Sequence, residues 1–161
     1  MIEKKYAGVA RYVESGIDAI GRFGVKALEF RDRHVKLLMP LDRNVNHVGM
    51  MYAGALFALG EVMGGAIFGV AFDYRKYFPI VREVQIRYLK PAFTDVTLTA
   101  DISEAQVAEA VAAFEAKGKA DIALDLELKD AEGTVVAQVR GVWQGRKLPE
   151  GFPVPWPTEE A

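Results

Sequence analysis

Hydrophobic residues recur every three or four positions at the start of the chain, from Tyr6 to Ile20. This spacing predicts an amphipathic helix over residues 5–23. Alternation of apolar and polar residues then predicts two strands, over 25–31 and 34–41, separated by the two-residue turn Asp32-Arg33. Strands joined by so short a connection pair in antiparallel fashion.

A long apolar segment follows, in which Glu61 is the single charged residue between positions 50 and 72. The segment is long enough to cross a bilayer. A carboxylate at mid-span would, however, cost about 2.5–3.5 kcal/mol on insertion, and glycines four residues apart suit close packing against other protein. We therefore expect no membrane span. The pattern predicts a helix over 52–72 that is apolar all round because protein surrounds it.

The second half of the chain is rich in strands. Alternating positions predict four of them, over 81–89, 96–102, 121–129 and 134–144. An alanine-rich stretch predicts a helix over Glu104–Lys117, and residues 130–133 form a hairpin turn that ends in glycine. The sequence therefore predicts a single α+β domain over 1–161. Its core spans 24–146 and its proline-bearing tail, 147–161, is extended.

Composition restricts the chemistry open to this chain. With 51% hydrophobic and 26% charged residues it has a globular profile, and it contains no cysteine. Thiolate metal sites, disulfides and a cysteine nucleophile are excluded, and two histidines cannot form a three-histidine metal site in one chain. The net charge of −2 argues against a nucleic-acid partner. We expect neither metal nor cofactor, and a cytoplasmic location fits the absence of cysteine.

Residues 46–61, which read NHVGMMYAGALFALGE, resemble the active-site segment of the hot-dog fold thioesterases. The phenylacetate-pathway type of acyl-CoA thioesterase is the most similar group. That group has an asparagine, a glycine three residues later, His-Gly-Gly at the helix start, and an acidic residue after Ala-Leu-Phe-x-Leu-Ala. Residues 88–92, which read YLKPA, resemble a strand of that group that ends in a basic residue, a proline and a small residue. The resemblance covers residues 24–146.

The chain departs from the family pattern at three positions, two at the helix start and one farther along the helix. Tyr52 stands where the family has histidine, Ala53 where it has the first glycine, and Glu61 replaces the commoner aspartate. The resemblance implies a hot-dog fold with about six antiparallel strands curved around a long central helix, here with an extra N-terminal helix. It also implies hydrolysis of an acyl-CoA or related thioester by a homodimer or a dimer of dimers.

Glu61 is the first candidate for a catalytic residue. The residues one helical turn away, Phe57, Ala58, Gly64 and Gly65, cannot pair with a carboxylate. An unpaired buried carboxylate is costly, which favours a chemical role as general base or nucleophile. The alternative is a structural carboxylate that is hydrogen-bonded to a tyrosine or an arginine. Gly65 would leave room for a substrate beside it.

Two further candidates lie before Glu61. Gly54 is in the first turn of the predicted helix, where free N–H groups and the positive end of the dipole meet. The family resemblance implies that the Gly54 N–H polarises the thioester carbonyl; the alternative is a packing glycine. Asn46 would hold the attacking water or the thioester oxygen, or would only shape a turn.

The remaining candidates are assigned to substrate binding. Tyr52 would bond a carbonyl or simply pack. Arg87 and Lys90 match basic residues that meet the phosphates of coenzyme A in the family, although both would be solvated if they had no such role. His47 has a spacing to Glu61 that also resembles hot-dog hydroxyacyl dehydratases, but their His-Phe-Pro-Gly loop is absent. A dehydratase and a non-catalytic acyl-ligand binding protein therefore remain the alternatives to a thioesterase.

Overall fold

The computed structural model describes residues 1–154 and contains one six-stranded antiparallel sheet with the strand order β1-β2-β4-β5-β6-β3. The strands are β1 Lys26–Arg31, β2 His34–Met39, β3 Tyr77–Tyr88, β4 Val96–Asp101, β5 Lys119–Lys129 and β6 Val135–Lys147. The helices are α1 Ala7–Ser15, α2 Asp18–Phe23, α3 Ala53–Ala71 and α4 Glu104–Lys117, with a 3-10 turn at Lys4–Tyr6. The predicted α+β hot-dog architecture is confirmed.

Helix α3 lies against the sheet at very short range because glycines face the strands. A Cβ atom on Gly60 would lie 2.7 Å from Val139 Cγ2, and one on Gly64 would lie 2.0 Å from Trp143 Cε2. By length and composition α3 is apolar enough to cross a membrane, but most of it is buried inside the protein. It is therefore the buried core helix that its all-round apolar pattern predicts.

The predicted continuous helix over 5–23 is wrong. The structure instead has two short helices, α1 and α2, with a break at Gly16 and Ile17, where Ile17 has an extended backbone with φ −113° and ψ 114°. The ring of Tyr12 packs on Gly16 so closely that a Cβ atom there would lie 2.5 Å from Tyr12 Cδ2. The break turns the chain between the two helices and brings Ile17 to the surface of α3.

Strand β3 begins at Tyr77, earlier than the predicted start at residue 81. It contains Pro79, which the sheet accepts because β3 is an edge strand. The opposite edge strand, β1, is covered by the N-terminal segment: the Glu3 N–H donates to the Phe30 carbonyl at 2.8 Å, and the Phe30 N–H donates to the Met1 carbonyl at 3.2 Å. Within residues 1–154, the outer edge of β3 has no such cover.

Helix α4 occupies the predicted range Glu104–Lys117, and a capping box at Ser103 begins it. The predicted extended tail lies partly outside the described residues. In the part described, Leu148 N–H donates to the Lys76 carbonyl at 2.8 Å and the Phe152 ring stacks on Phe78 with centroids 6.4 Å apart. The tail therefore begins by packing along the start of β3.

Candidate active site

Glu61 lies in the middle of α3 and is half-buried. Within the described part of the chain its carboxylate has neither a hydrogen bond nor an ion pair. Burial raises the pKa of Glu61 because an apolar surrounding disfavours the charged form. The structural role considered for this residue would need a tyrosine or arginine partner, and residues 1–154 supply none. An unpaired carboxylate of this kind is a candidate proton acceptor.

A cavity of about 230 Å³ opens beside the Glu61 side chain. Its walls come from the helix and the sheet: Val62, Gly65, Phe78, Pro79, Val81 and Trp143. Tyr12 and Ile17 also line the cavity. Gly65, predicted to leave room for a substrate beside the carboxylate, is among the lining residues. Apart from the Glu61 carboxylate, the Tyr12 hydroxyl and the Trp143 indole N–H, the lining side chains are apolar, which suits a hydrocarbon group.

The start of α3 presents unused backbone donors. The N–H groups of Ala55 and Leu56 donate to the Tyr52 carbonyl at 3.0 and 3.2 Å, whereas those of Ala53 and Gly54 have no acceptor among residues 1–154. Free N–H groups at the positive end of a 19-residue helix favour an anionic or strongly polarised oxygen. Chemically, this end of α3 can stabilise an oxyanion.

Two tyrosines enclose this helix end. The ring of Tyr52 lies over Gly54, where a Cβ atom would be 2.4 Å from Tyr52 Cε1. The Tyr88 hydroxyl donates to the Ala53 carbonyl at 3.0 Å. Burial raises the pKa of Tyr88, and the neighbouring Tyr52 raises it further. Gly54 therefore leaves space for an aromatic ring in addition to presenting its N–H. Tyr88 was not recognised as a site residue from the sequence, where it is one of several alternating apolar positions.

Asn46 organises the loop that leads into α3. Its side-chain Oδ1 accepts from the N–H groups of Val48 and Met50 at 2.9 and 3.1 Å. Its own N–H donates to the Met50 carbonyl at 2.7 Å. Only the Nδ2 amide of Asn46 has no acceptor within residues 1–154, so this group alone is available to a ligand. His47 is exposed in the same loop.

A second asparagine anchors the loop, and the sequence did not single it out. Asn44 is 5% exposed, and its Nδ2 donates to the carbonyl of Phe23 at 2.8 Å and to that of Pro40 at 2.7 Å. Its own carbonyl accepts from the Tyr52 N–H at 2.7 Å. Asn44 thus fixes the N-terminus of α3 against the end of α2.

Comparison with known protein families supplies the chain's relationships. A family model, DUF4442, described as a domain of unknown function, matches residues 23–144. The chain belongs to the DUF4442 family. The matched DUF4442 region contains Asn46, Gly54 and Glu61, whereas Tyr12 and Ile17 precede it. No curated protein matches the chain.

Solved structures resemble this DUF4442 chain over most of its length. A protein of unknown function from Pseudomonas aeruginosa, named as a probable thioesterase, is 34% identical with a TM-score of 0.85, covering 92% of this chain and 99% of its own. A mutant thioesterase from Staphylococcus aureus is 22% identical, with a TM-score of 0.66 and coverage of 81% and 99%. A thioesterase from Haemophilus influenzae is 15% identical, with a TM-score of 0.69 and coverage of 90% and 92%. The last two share the fold of the DUF4442 chain.

The candidate residues of this DUF4442 chain do not all meet within one copy. Gly54 and Glu61 lie on the same side of α3, but seven residues of helix separate them by about 10 Å. Arg87 lies beyond the sheet, on the face opposite α3, next to Asp125 and Arg140. Lys90 is exposed just after β3. A single chain therefore offers a carboxylate beside a cavity and, separately, a donor-rich helix end.

Proposed function

We propose that this DUF4442 protein is a thioester hydrolase, an acyl-CoA thioesterase in which Glu61 is the general base or the nucleophile. The observation that carries the proposal is the unpaired, half-buried carboxylate at the wall of an apolar cavity. The structural relative that is named as a probable thioesterase and shares 34% identity supports the same reaction class. The pattern of residues 46–61 makes the phenylacetate-pathway type of thioesterase the finer proposal.

The chemistry requires a base or a nucleophile, and a stabilised oxyanion. As general base, Glu61 removes a proton from water while the water oxygen attacks the thioester carbon; the C–S bond then breaks and the thiolate takes up a proton. As nucleophile, the carboxylate attacks the thioester carbon, the C–S bond breaks and the thiolate leaves and takes up a proton; water then hydrolyses the mixed anhydride, which releases the acid and restores the carboxylate. In either route the negative charge develops on the carbonyl oxygen. Removal of one donor from an oxyanion site typically costs about 2.7–4 kcal/mol, and the Gly54 N–H is the proposed donor.

We propose that two copies of the chain complete the site. A carbonyl cannot touch groups about 10 Å apart on one helix, so Glu61 of one copy would work with Gly54 of the partner subunit. The uncovered edge of β3 supplies the surface for pairing, since an exposed strand edge invites another strand. Ile80 and Val81 on that strand are 37% and 46% exposed, which a partner would bury. A homodimer is therefore the minimum active unit, and a dimer of dimers contains the same site.

The remaining residues are proposed to bind the substrate. The Nδ2 amide of Asn46 would donate to the water or to the thioester oxygen. Tyr52, at the N-terminus of α3, and His47, in the preceding loop, would contact the thioester and the pantetheine arm. Lys90 would bind a phosphate of coenzyme A. Arg87 could bind a phosphate only on the face of the sheet that lies opposite α3. No metal or redox cofactor enters either route.

One observation favours a second candidate function. The Tyr52 ring lies over Gly54, the residue whose N–H would have to reach the substrate. A ring fixed in this position would leave a protein that binds acyl ligands in the Glu61 cavity without hydrolysing them. For the dehydratase alternative, which needs His47 as base, the exposed position of His47 offers no comparable support.

Incubation of the purified protein with a panel of acyl-CoA esters separates these functions. We expect release of free thiol, detected with a thiol-reactive chromophore, at a rate well above that of the uncatalysed reaction. Calorimetric binding without thiol release would establish the ligand-binding function instead. Addition of water to an enoyl ester, followed at the absorbance of the enoyl group, would establish the dehydratase and contradict the proposal.

A further inference from the structure

The outer wall of the Glu61 cavity is built by a part of the chain that precedes the family-matched region. Residues 23–144 match the family, whereas Tyr12 and Ile17 come from the break between α1 and α2. The extended backbone at Ile17 and the packing of Tyr12 on Gly16 fix both side chains at the cavity. Ile17 is nevertheless 48% exposed, although it is a large hydrophobic residue. An apolar side chain in this position is free to contact a ligand.

We propose that Tyr12 and Ile17 are specificity-determining residues that close the acyl pocket and restrict the substrate to uncharged acyl groups of short or medium length. This inference rests on the proposed function, because it takes the Glu61 cavity as the place where the acyl group binds.

The size of the cavity indicates the length of acyl chain that it can hold. A cavity of about 150 Å³ accommodates benzene, which has six carbon atoms. The volume beside Glu61 is about 230 Å³, so at similar packing it accommodates roughly nine carbon atoms. At the inner end the Trp143 ring, which packs against Gly64 and Gly141, forms the wall. A longer acyl chain would extend outward, past Tyr12 and Ile17.

The charge of the cavity disfavours acyl groups that carry a carboxylate of their own. None of its lining residues in the described chain is a lysine, arginine or histidine, and the single charged group is the Glu61 carboxylate. An acyl group that ends in a carboxylate would be buried without a counter-ion and would face a like charge. Dicarboxylic acyl groups are therefore excluded, whereas linear, branched or single-ring hydrocarbon acyl groups are accepted.

The test compares acyl-length profiles of the full-length protein and its variants. We expect kcat/KM to peak at or below about nine carbons and to fall for C12 and C16 esters and for succinyl-CoA. Ile17→Ala and Tyr12→Leu replace these side chains by smaller ones and so widen the cavity. They should raise the C12-to-C6 ratio of kcat/KM by about tenfold or more, whereas the larger side chain of Ile17→Trp should lower that ratio. The matched control is Leu28→Ala, an apolar residue on β1 that is 37% exposed and outside the cavity lining. It should leave the ratio unchanged.

Binding of non-hydrolysable thioether analogues of the same acyl-CoA series separates this inference from the proposed function. If no ester is hydrolysed but the analogues bind with the same length preference, and Ile17→Ala shifts it, the inference holds and the hydrolase proposal fails. If hydrolysis occurs and the Ile17 and Tyr12 variants keep the parental length profile, the inference fails and the hydrolase proposal holds. Absence of both hydrolysis and analogue binding overturns both.

Discussion

Replacement of Gly64 by alanine tests the close approach of α3 to the sheet. The added Cβ atom would lie 2.0 Å from Trp143 Cε2 and 2.1 Å from Nε1, where carbon atoms normally approach to about 3.5–4.0 Å. The indole ring is rigid, and its other end already packs against the Gly141 backbone: a Cβ atom on Gly141 would lie 2.2 Å from Trp143 Cη2. The ring or the helix must therefore move.

The expected size of the effect follows from two opposing contributions. Overpacking of a core costs about 1–3 kcal/mol, and a clash this severe with a buried ring belongs at the upper end. Glycine to alanine within a helix contributes about 1 kcal/mol of stability. The net expectation is a loss of about 2 kcal/mol, which in a domain of this size lowers Tm by roughly 4–8 °C.

Thermal and urea unfolding of the variant measure this loss directly. The matched control is Gly8→Ala in α1, where a Cβ atom would have nothing within 4 Å. That variant should keep or slightly raise the stability. If Gly64→Ala were as stable as the parent protein, α3 would not pack on Trp143 at the distance described. The position of Trp143 in the wall of the Glu61 cavity would then be contradicted as well.

Four further outcomes are expected. Light scattering at micromolar concentration should give a dimer or a dimer of dimers, and a monodisperse monomer would contradict the two-copy site. Asn46→Ala should reduce the rate of thiol release less than loss of the Glu61 carboxylate does. In the double variant the two losses of activation free energy should not add fully, because both residues act on one reaction. Full additivity would argue against a shared role. Because burial raises the pKa of Glu61 above its usual 4.5, the folded state binds this proton more tightly than the unfolded chain. The free energy of unfolding should therefore fall as pH rises above about 4.5 through the raised pKa and then level off, and Glu61→Gln should remove that component. The rate of hydrolysis should fall on acidification through the same pKa, and a pH-independent rate with chemistry rate-limiting would contradict a role as base or nucleophile.

Elements whose limits depend on local chemistry were predictable from the sequence. Helix α4 matches the predicted range because Ser103 and Gly118 supply a capping box at one end and a left-handed residue, with φ 71°, at the other. The break at Gly16 was not predictable, since the apolar period continues through it and the cause is a ring packed on the backbone. The early start of β3 was hidden by Pro79, which an edge strand tolerates.

The same distinction applies to the site. The unpaired state of the Glu61 carboxylate within residues 1–154 was predictable, because an apolar helix with glycine and alanine neighbours offers a carboxylate no partner. The anchoring role of Asn44 was not predictable, because its partners are the main-chain carbonyls of Phe23 and Pro40. In the sequence alone, Asn44 does not differ from other loop asparagines. The cavity walls come from four separate elements, so only the folded chain brings Tyr12 and Trp143 to the same side chain.

Thiol release by Glu61→Gln, measured beside its thermal melt, tests the central claim most directly. Glutamine keeps nearly the same volume, so the variant should fold normally and gain stability at neutral pH. It cannot accept a proton from water or attack a carbonyl, so the rate with a good acyl-CoA substrate should fall by about 10²- to 10⁴-fold. A folded variant that hydrolyses the substrate at the parental rate would contradict the assignment of Glu61 and, with it, the proposed mechanism.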